Sequence, residues 1–151
     1  MTTIYFVRHA QPDETHRDDR TRPLTALGSS DTKKVTEILK DERIDLFYSS
    51  PYRRSLDTIL DCAQSRGLLI ATDERFRERV SGANVHGIEM VRKRWADFSF
   101  CEPGGENLAS VQKRNVEAVK EILQRHRDLH IVVGTHGTAL STIQNYFVPS
   151  L

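Results

Sequence analysis

The stretch Ile4-Tyr5-Phe6-Val7-Arg8-His9-Ala10-Gln11 decides the fold that we predict for this chain. Its first four residues form a compact apolar run of β-formers that ends abruptly at charged and polar residues. Such a run is typical of a strand that is buried on both faces of a covered sheet. Similar short runs predict three further strands along the chain, at Ile44 to Tyr48, Leu68 to Ala71 and Ile131 to Val133.

Helical patterns separate these strands. Thr25 and Asn107 are good N-cap residues for two helices, and further helices are predicted from Pro51 to about Arg66, around residues 88–98, and from Thr138 to Phe147. Leu27, Val35, Ile38 and Leu39 are expected to share one face of the first helix. The stretch Asp73 to Arg79 has no clean period and is predicted to be a loop.

The alternation of strands and helices predicts an α/β fold, a three-layer α/β/α sandwich with a mostly parallel central sheet. The length of 151 residues favours a single domain over residues 1–151. The 22 basic and 21 acidic residues give a net charge of +1, so no global field points to nucleic acid or to an anionic membrane as a partner. Two distant cysteines and the lack of a signal-like or membrane-spanning apolar run favour a cytoplasmic protein.

Polar clusters follow three of the predicted strands. Arg8-His9 follows the first strand, Arg53-Arg54 lies just past the second, and His136 follows the last. In open parallel sheets the ligand binds beyond the carboxyl ends of the strands. We therefore expect these side chains to converge on one site.

The segment Arg8-His9-Ala10-Gln11 resembles the R-H-G/A signature of the histidine phosphatase superfamily, whose members include the phosphoglycerate mutases. Other segments resemble blocks of that family in the same order and cover nearly the whole chain: Arg22-Pro23-Leu24-Thr25 with Gly28, 48–54, Phe76-Arg77-Glu78 with Gly82, Gly105-Glu106-Asn107 and Gly134-Thr135-His136-Gly137. The resemblance implies a phosphoglycerate mutase-like fold, in the branch of small bacterial phosphatases.

The resemblance also assigns roles to individual residues. His9 would carry the phosphoryl group as a covalent phosphohistidine, and Arg8 and Arg54 would grip the phosphoryl oxygens. His136 would donate a hydrogen bond to the phosphoryl group, and Glu78 would protonate the leaving alkoxide. Gln11 and Gly137 are further predicted substrate contacts. Other carboxylates in or near loops compete with Glu78 for the acid role: Asp13, Glu74 and Glu89.

The residue types suit this chemistry independently of the family. A neutral imidazole is a competent nucleophile if a backbone carbonyl holds one ring nitrogen as N–H and leaves the other lone pair free. A guanidinium group matches phosphoryl oxygens bidentately and stays charged. His9, His136 and a carboxylate could instead ligate a metal, but two neighbouring arginines would repel a divalent cation. We therefore predict neither a metal nor another cofactor.

Three functions remain open at this point. The first is a phosphatase that acts on a small phosphorylated molecule or a phosphoprotein, the second is a mutase, and the third is a phosphate-binding module without turnover. The third is motivated by the unusual Pro12-Asp13-Glu14 stretch. The short stretch between Gly82 and Cys101 favours the phosphatase, because true mutases of the family carry longer insertions there.

Two further expectations concern the surface. The basic residues Arg75, Arg77 and Arg79, with 92–94, either recognise an acidic substrate or face solvent, and Trp95 is expected to be a half-buried anchor. The chain stops at Leu151, where relatives usually continue, which would expose apolar residues and favour a homodimer. These apolar residues are Ile143, Tyr146 and Phe147.

Overall fold

The computed structural model describes residues 1–83 and 87–149. Strands and helices alternate along the described chain, as the sequence predicts. In chain order the elements are β1 (Thr3–Arg8), α1 (Ala26–Leu39), β2 (Leu46–Ser49), α2 (Arg53–Ser65), β3 (Ile70–Thr72), α3 (Ile88–Ala96), α4 (Leu108–Arg125), β4 (His130–Thr135) and α5 (Gly137–Phe147). A short 3-10 turn, Glu74–Phe76, interrupts the loop predicted after β3.

The four strands form one sheet in the order β1-β4-β2-β3, and every pair of neighbours is parallel. The sheet is therefore entirely parallel within the described residues, which confirms the predicted class. β4 lies between β1 and β2, so the residues that follow these three strands emerge side by side at one edge. This edge is where the predicted site residues lie.

Apolar layers cover both faces of the sheet. On one face Val132 and Phe47 pack with residues of α1 and α2, among them Leu39 and Ile59. On the other face Ile131 and Val133 pack with residues of α4 and α5, among them Val119, Ile122 and Ile143. Successive residues of β4 thus point to opposite faces, as the period of a strand requires. The three-layer α/β/α sandwich is confirmed.

Side chains cap two helices as predicted. The Thr25 hydroxyl accepts a hydrogen bond from the amide of Gly28 at 3.0 Å, and the Asn107 carbonyl oxygen accepts one from the amide of Ser110 at 2.8 Å. Each bond satisfies an amide that the first turn of a helix leaves without a backbone partner. α2 begins later than predicted, at Arg53, with Tyr52 at its N-cap, so Pro51 lies before the helix rather than in its first turn.

The predicted apolar face of α1 is wrong for two residues. Leu39 is buried and Val35 is half-buried, whereas Leu27 and Ile38 are 60% and 76% exposed. Successive helical residues are rotated by about 100°. Leu27 and Ile38 therefore lie beside the narrow stripe that α1 buries, which also contains Gly28 and Thr32.

Gly28 lets α1 approach the loop that follows β1. A Cβ atom at this position would lie 2.3 Å from the carbonyl oxygen of Gln11, which is closer than atoms can approach. Glycine is thus required where the helix supports the His9 loop.

The end of the chain differs in part from the prediction. Ile143 is buried in the core beside α4, whereas Tyr146 and Phe147 are exposed. The predicted exposure of Ile143 is wrong, because α5 turns this residue towards the sheet. Within the described part of the chain, no helix combines the length and the apolar character that crossing a membrane requires.

Candidate active site

The ends of β1, β2 and β4 bring the predicted site residues together. The amide of His9 donates to the carbonyl of Thr135 at 3.1 Å, and the amide of Ser50 donates to the carbonyl of Gly134 at 3.0 Å. The ring centroids of His9 and His136 lie 5.2 Å apart. The expected convergence at the carboxyl ends of the strands is thus observed for both histidines.

Backbone contacts orient the ring of His9. Its Nδ1 lies 2.8 Å from the carbonyl oxygen of Ala10. A carbonyl oxygen can only accept, so this contact requires a proton on Nδ1 and leaves the Nε2 lone pair free. The amide of Ala10 donates to the Thr58 hydroxyl at 2.9 Å, and that hydroxyl donates to the carbonyl of Arg54 at 2.6 Å. α2 therefore fixes the loop that orients His9.

The surroundings of His9 keep its imidazole neutral. Burial lowers the pKa of His9 below its usual value. The hydrogen bond to Ala10 opposes this change, and the positive charges of Arg54 and Arg8 lower the pKa further. A neutral imidazole with one free lone pair is the form that can attack phosphorus.

Of the two adjacent arginines on α2, only Arg54 points into the site. Arg54 is 3% exposed, whereas Arg53 is exposed and pairs with Asp57 on the solvated face of α2. The Arg54 guanidinium donates to the carbonyl oxygen of Asp19 at 2.6 Å and lies 3.0 Å from its carboxylate. It also lies over the ring of Tyr52, 5.2 Å from the centroid. These contacts hold the guanidinium beside His9.

His9 and Arg54 line a cavity of about 590 Å³, which we call the phosphoryl cavity. Its lining holds more arginines than carboxylates, so its field favours an anionic ligand. Its other charged lining residues are Arg8, Arg17, Arg22, Arg79, Glu14, Asp19 and Glu78.

His136 lies fully buried behind this cavity. Its Nε2 is 2.7 Å from the Ser50 hydroxyl, which also accepts the Tyr52 amide at 3.2 Å. Its Nδ1 has no hydrogen-bond partner among the described residues. Burial, together with the charge of Arg54, lowers the pKa of His136 to about 2, so the ring is neutral. The Ser50 hydroxyl can donate to Nε2, and in that tautomer the ring proton lies on Nδ1, the nitrogen without a partner.

Glu78 lies at the border of the phosphoryl cavity and caps α5. Its Oε1 accepts the amides of Arg79 at 2.8 Å and Ala139 at 3.1 Å, and its Oε2 accepts the amide of Thr138 at 3.1 Å. The N-terminus of a helix favours negative charge, so this is a stable position for a carboxylate. The alternative acids lie elsewhere: Glu74 pairs with Arg20 on the surface, and neither Asp13 nor Glu89 lines the cavity.

Arg114 of α4 holds the loop that carries Glu78. Its guanidinium donates to the carbonyls of Arg75, Arg77 and Glu78 at 2.7, 2.6 and 3.1 Å. It also pairs with Glu106 at 2.9 Å. Burial alone would raise the pKa of Glu106, but the hydrogen bonds and charge of Arg114, together with Arg77, lower it to about 2. The Glu78 loop is therefore tied to the body of the protein.

The basic residues of this loop do not simply face solvent. Arg75 pairs with Asp73 and Glu121, and Arg77 pairs with Glu106. Arg79 and Arg94 both pair with the buried carboxylate of Glu102, at 3.1 and 2.6 Å. The expectation that these side chains face solvent is wrong, because carboxylates engage them. Recognition of an acidic substrate stays a prediction, since Arg79 also lines the phosphoryl cavity.

The remaining predicted contacts are arranged differently. Gly137 begins α5, and a Cβ atom there would lie 3.3 Å from Nε of Arg8, so the Arg8 side chain lies directly against it. The side chain of Gln11 instead accepts a hydrogen bond from the Thr25 hydroxyl at 2.8 Å and does not line the phosphoryl cavity. The structure thus gives no support to the prediction that the Gln11 side chain contacts substrate.

The described residues contain no group of three or more histidine, cysteine, aspartate or glutamate side chains arranged to hold a metal ion. The two neutral histidines instead face positively charged arginines. Metal-free catalysis stays a prediction.

The buried His136 predicts a pH-dependent stability. In the unfolded chain this imidazole takes up a proton near pH 6.5, whereas in the folded protein it stays neutral to a pH of about 2. Acid therefore favours the unfolded state. The stability that the neutral His136 contributes is fully present above pH 6.5 and decreases below it. Between pH 6 and pH 5 we expect the free energy of unfolding to fall about 1 kcal/mol more in the wild type than in His136→Asn. Urea denaturation at both pH values measures this difference. An equal decrease in the free energy of unfolding of the two proteins would contradict the prediction.

The parallel sheet and the arginine-lined cavity around a neutral, oriented histidine define a site for phosphoryl-group chemistry. Comparison with known proteins agrees with this class. The sequence profile of the histidine phosphatase superfamily (branch 1) matches residues 4–149, and the chain belongs to this superfamily.

Individual proteins show which members of the superfamily this chain resembles. Phosphoserine phosphatase 1 of Hydrogenobacter thermophilus is 29% identical over 150 residues, which cover 90% of this chain and 71% of the relative. A putative phosphoserine phosphatase 2 of the same organism is 31% identical, over 91% of this chain and 75% of the relative. The solved structure of YhfR from Bacillus stearothermophilus is 26% identical with a TM-score of 0.84, over 100% of this chain and 82% of that one. The two relatives named as phosphoserine phosphatases support a phosphatase.

Proposed function

We propose that the protein hydrolyses phosphate monoesters in two steps through a phosphohistidine on His9, without a metal ion. The observation that carries the proposal is the 2.8 Å contact between Nδ1 of His9 and the carbonyl of Ala10. This contact leaves Nε2 as a nucleophile beside Arg54 and His136. The relatives named for phosphoserine hydrolysis support phosphomonoesters as the class of substrate.

In the first step the Nε2 lone pair of His9 attacks phosphorus, the N–P bond forms, and the ester P–O bond breaks. The guanidinium groups of Arg8 and Arg54 and the Nδ1–H of His136 stabilise the negative charge on the phosphoryl oxygens. Glu78 donates a proton to the leaving oxygen, which departs as an alcohol.

In the second step a water molecule attacks the phosphohistidine and gives its proton to the Glu78 carboxylate. The N–P bond breaks, inorganic phosphate leaves, and His9 regains its lone pair. Glu78 is again protonated for the next cycle, so atoms and charge balance. The neutral state of His9 lets it accept the phosphoryl group in every cycle without first losing a proton.

Competition between water and methanol tests this proposal. All substrates pass through one phosphohistidine, so phenyl phosphate and p-nitrophenyl phosphate should give the same ratio of methyl phosphate to inorganic phosphate. Rates should not change when a chelator is added. A ratio that depends on the leaving group would contradict the shared intermediate, a chelator-sensitive rate would contradict the metal-free mechanism, and phosphate binding without release would contradict the phosphatase.

A further inference from the structure

One carboxylate oxygen of Asp19 lies between two arginines of the phosphoryl cavity. Its Oδ1 is 3.0 Å from Nη1 of Arg22 and 3.0 Å from Nη1 of Arg54. All three residues line the phosphoryl cavity, and we call this arrangement the Asp19 bridge. Guanidinium groups hold a phosphoryl oxygen in the same way, through charged N–H donors that converge on it. The Asp19 bridge therefore puts a negative oxygen where a ligand oxygen would bind.

Both guanidinium groups are held by contacts that do not involve the Asp19 carboxylate. Nε of Arg22 donates to the carbonyl oxygen of His16 at 3.1 Å, and Arg54 donates to the backbone carbonyl oxygen of Asp19 at 2.6 Å. The Arg54 guanidinium also lies over the ring of Tyr52. The side chains of Arg22 and Arg54 are only 18% and 4% exposed. The two arginines would therefore keep their places if the carboxylate moved away.

The Asp19 carboxylate is free to leave this position. Its side chain is 42% exposed, so rotation about the side-chain bonds brings the carboxylate into water while the backbone carbonyl stays on Arg54. Among the described residues Asp19 alone pairs with both arginines, since Glu14 approaches Arg22 at 3.6 Å but does not pair with Arg54. Ion pairs of partly exposed carboxylates are weak, whereas a phosphoryl dianion offers more charge and several oxygens. A phosphoryl group can therefore displace the carboxylate.

We propose that Asp19 is an internal competitor for the phosphoryl group, and that Arg22 binds the phosphoryl group beside Arg54 once the carboxylate has moved away. The proposal rests on the proposed function and adds to it a substrate-binding residue and a residue that sets the affinity. The carboxylate and the phosphoryl group exclude each other, so Asp19 weakens the binding of substrate and of inorganic phosphate alike. It thereby favours release of inorganic phosphate from a cavity that is lined by five arginines.

Titration calorimetry with inorganic phosphate tests the role of Asp19. Asparagine keeps the shape of the side chain but offers the arginines only a neutral oxygen, which is the weaker acceptor. Asp19→Asn should therefore bind inorganic phosphate about tenfold more tightly than the wild type. If the carboxylate instead served to position Arg54 for its ligand, the variant would bind phosphate less tightly. An unchanged or reduced affinity would overturn the proposal.

Asp18→Asn is the matched control, because it removes the same charge from the neighbouring residue. The Asp18 carboxylate accepts the Thr21 hydroxyl at 2.6 Å, is exposed, and does not line the phosphoryl cavity. Solvent and salt screen its charge, so the affinity for inorganic phosphate should change by less than about twofold. An equal gain in Asp18→Asn and Asp19→Asn would mean that only the net charge of the loop matters, which contradicts a competitor at residue 19.

Arg22→Gln tests the second part of the proposal. In the Asp19→Asn protein the carboxylate no longer masks Arg22, so Arg22→Gln should weaken the binding of inorganic phosphate at least about tenfold. In the wild type the loss should be smaller, because the same substitution also loosens the competing carboxylate. Equal losses in the two backgrounds, or no loss in the Asp19→Asn protein, would refute the assignment of Arg22.

Turnover of p-nitrophenyl phosphate separates this inference from the proposed function. In Asp19→Asn the inhibition constant of inorganic phosphate should fall about tenfold, as its dissociation constant does, whereas kcat should not increase because His9 and Glu78 are unchanged. Turnover with unchanged inhibition by phosphate would overturn the inference and leave the phosphatase intact. Tighter phosphate binding without turnover in the wild type or the variant would support the Asp19 bridge and overturn the proposed function.

Discussion

Replacement of His9 by alanine is expected to lower kcat for p-nitrophenyl phosphate by roughly 10⁴-fold or more. Among the described residues, the change removes the one imidazole nitrogen that the site presents with a free lone pair beside Arg54, so no covalent intermediate can form there. Phosphate binding should change little, because Arg54 and His136 keep their own contacts to Asp19 and Ser50. Initial rates and calorimetric titration with inorganic phosphate measure the two effects.

His16→Ala is a suitable control for this variant. His16 contacts the Thr21 hydroxyl at 2.9 Å and does not line the phosphoryl cavity. His16→Ala should leave kcat within about twofold of the wild-type value, because His16 lies outside the active site. A His9→Ala protein that binds phosphate and retains a tenth of the activity would show that another group is the nucleophile.

The second large effect is expected from Glu78→Gln, and it depends on the leaving group. Alkyl phosphates need a proton on the departing oxygen, so their kcat should fall roughly 10²- to 10⁴-fold. p-Nitrophenolate leaves without a proton, so kcat for p-nitrophenyl phosphate should fall less than about tenfold. Hexyl phosphate and p-nitrophenyl phosphate, assayed with the same enzyme preparation, give both numbers.

Glu74→Gln is the matched control, since Glu74 lies in the same segment but pairs with Arg20 on the surface. Glu74→Gln should leave kcat for both substrates within about twofold of the wild-type value. If Glu78→Gln lowered kcat equally for both esters, the role of Glu78 as the acid would be contradicted. Such a loss would indicate that the side chain matters only as the cap of α5, through its bonds to the amides of Thr138 and Ala139.

The sequence predicts most of the fold because its signals are local. The apolar run before His9, the caps at Thr25 and Asn107 and the alternation of strands and helices each depend on neighbouring residues. The choice of Arg54 over Arg53 came instead from the resemblance to the family. Because the strands are parallel and β4 lies in the middle, the residues at the strand ends necessarily meet.

The residues that orient the site were missed, because they act through contacts between distant segments. Asp19 pairs with Arg54, Thr58 holds Ala10, and Ser50 contacts His136, and none of these pairs has a local sequence signature. Contacts between distant segments also explain why the expectation that Arg77 and Arg79 face solvent is wrong. A run of alternating basic residues predicts a charged surface, but it does not show that carboxylates more than twenty residues away bind them.

The most direct test of the account is to trap the intermediate. Wild-type protein mixed with p-nitrophenyl phosphate should be quenched at alkaline pH, since phosphohistidine hydrolyses in acid, and then digested and analysed by mass spectrometry. We predict phosphate on the peptide that contains His9, at His9 itself, and its loss after acid treatment. Phosphate on another residue, or turnover without any phosphorylated peptide, would contradict the account.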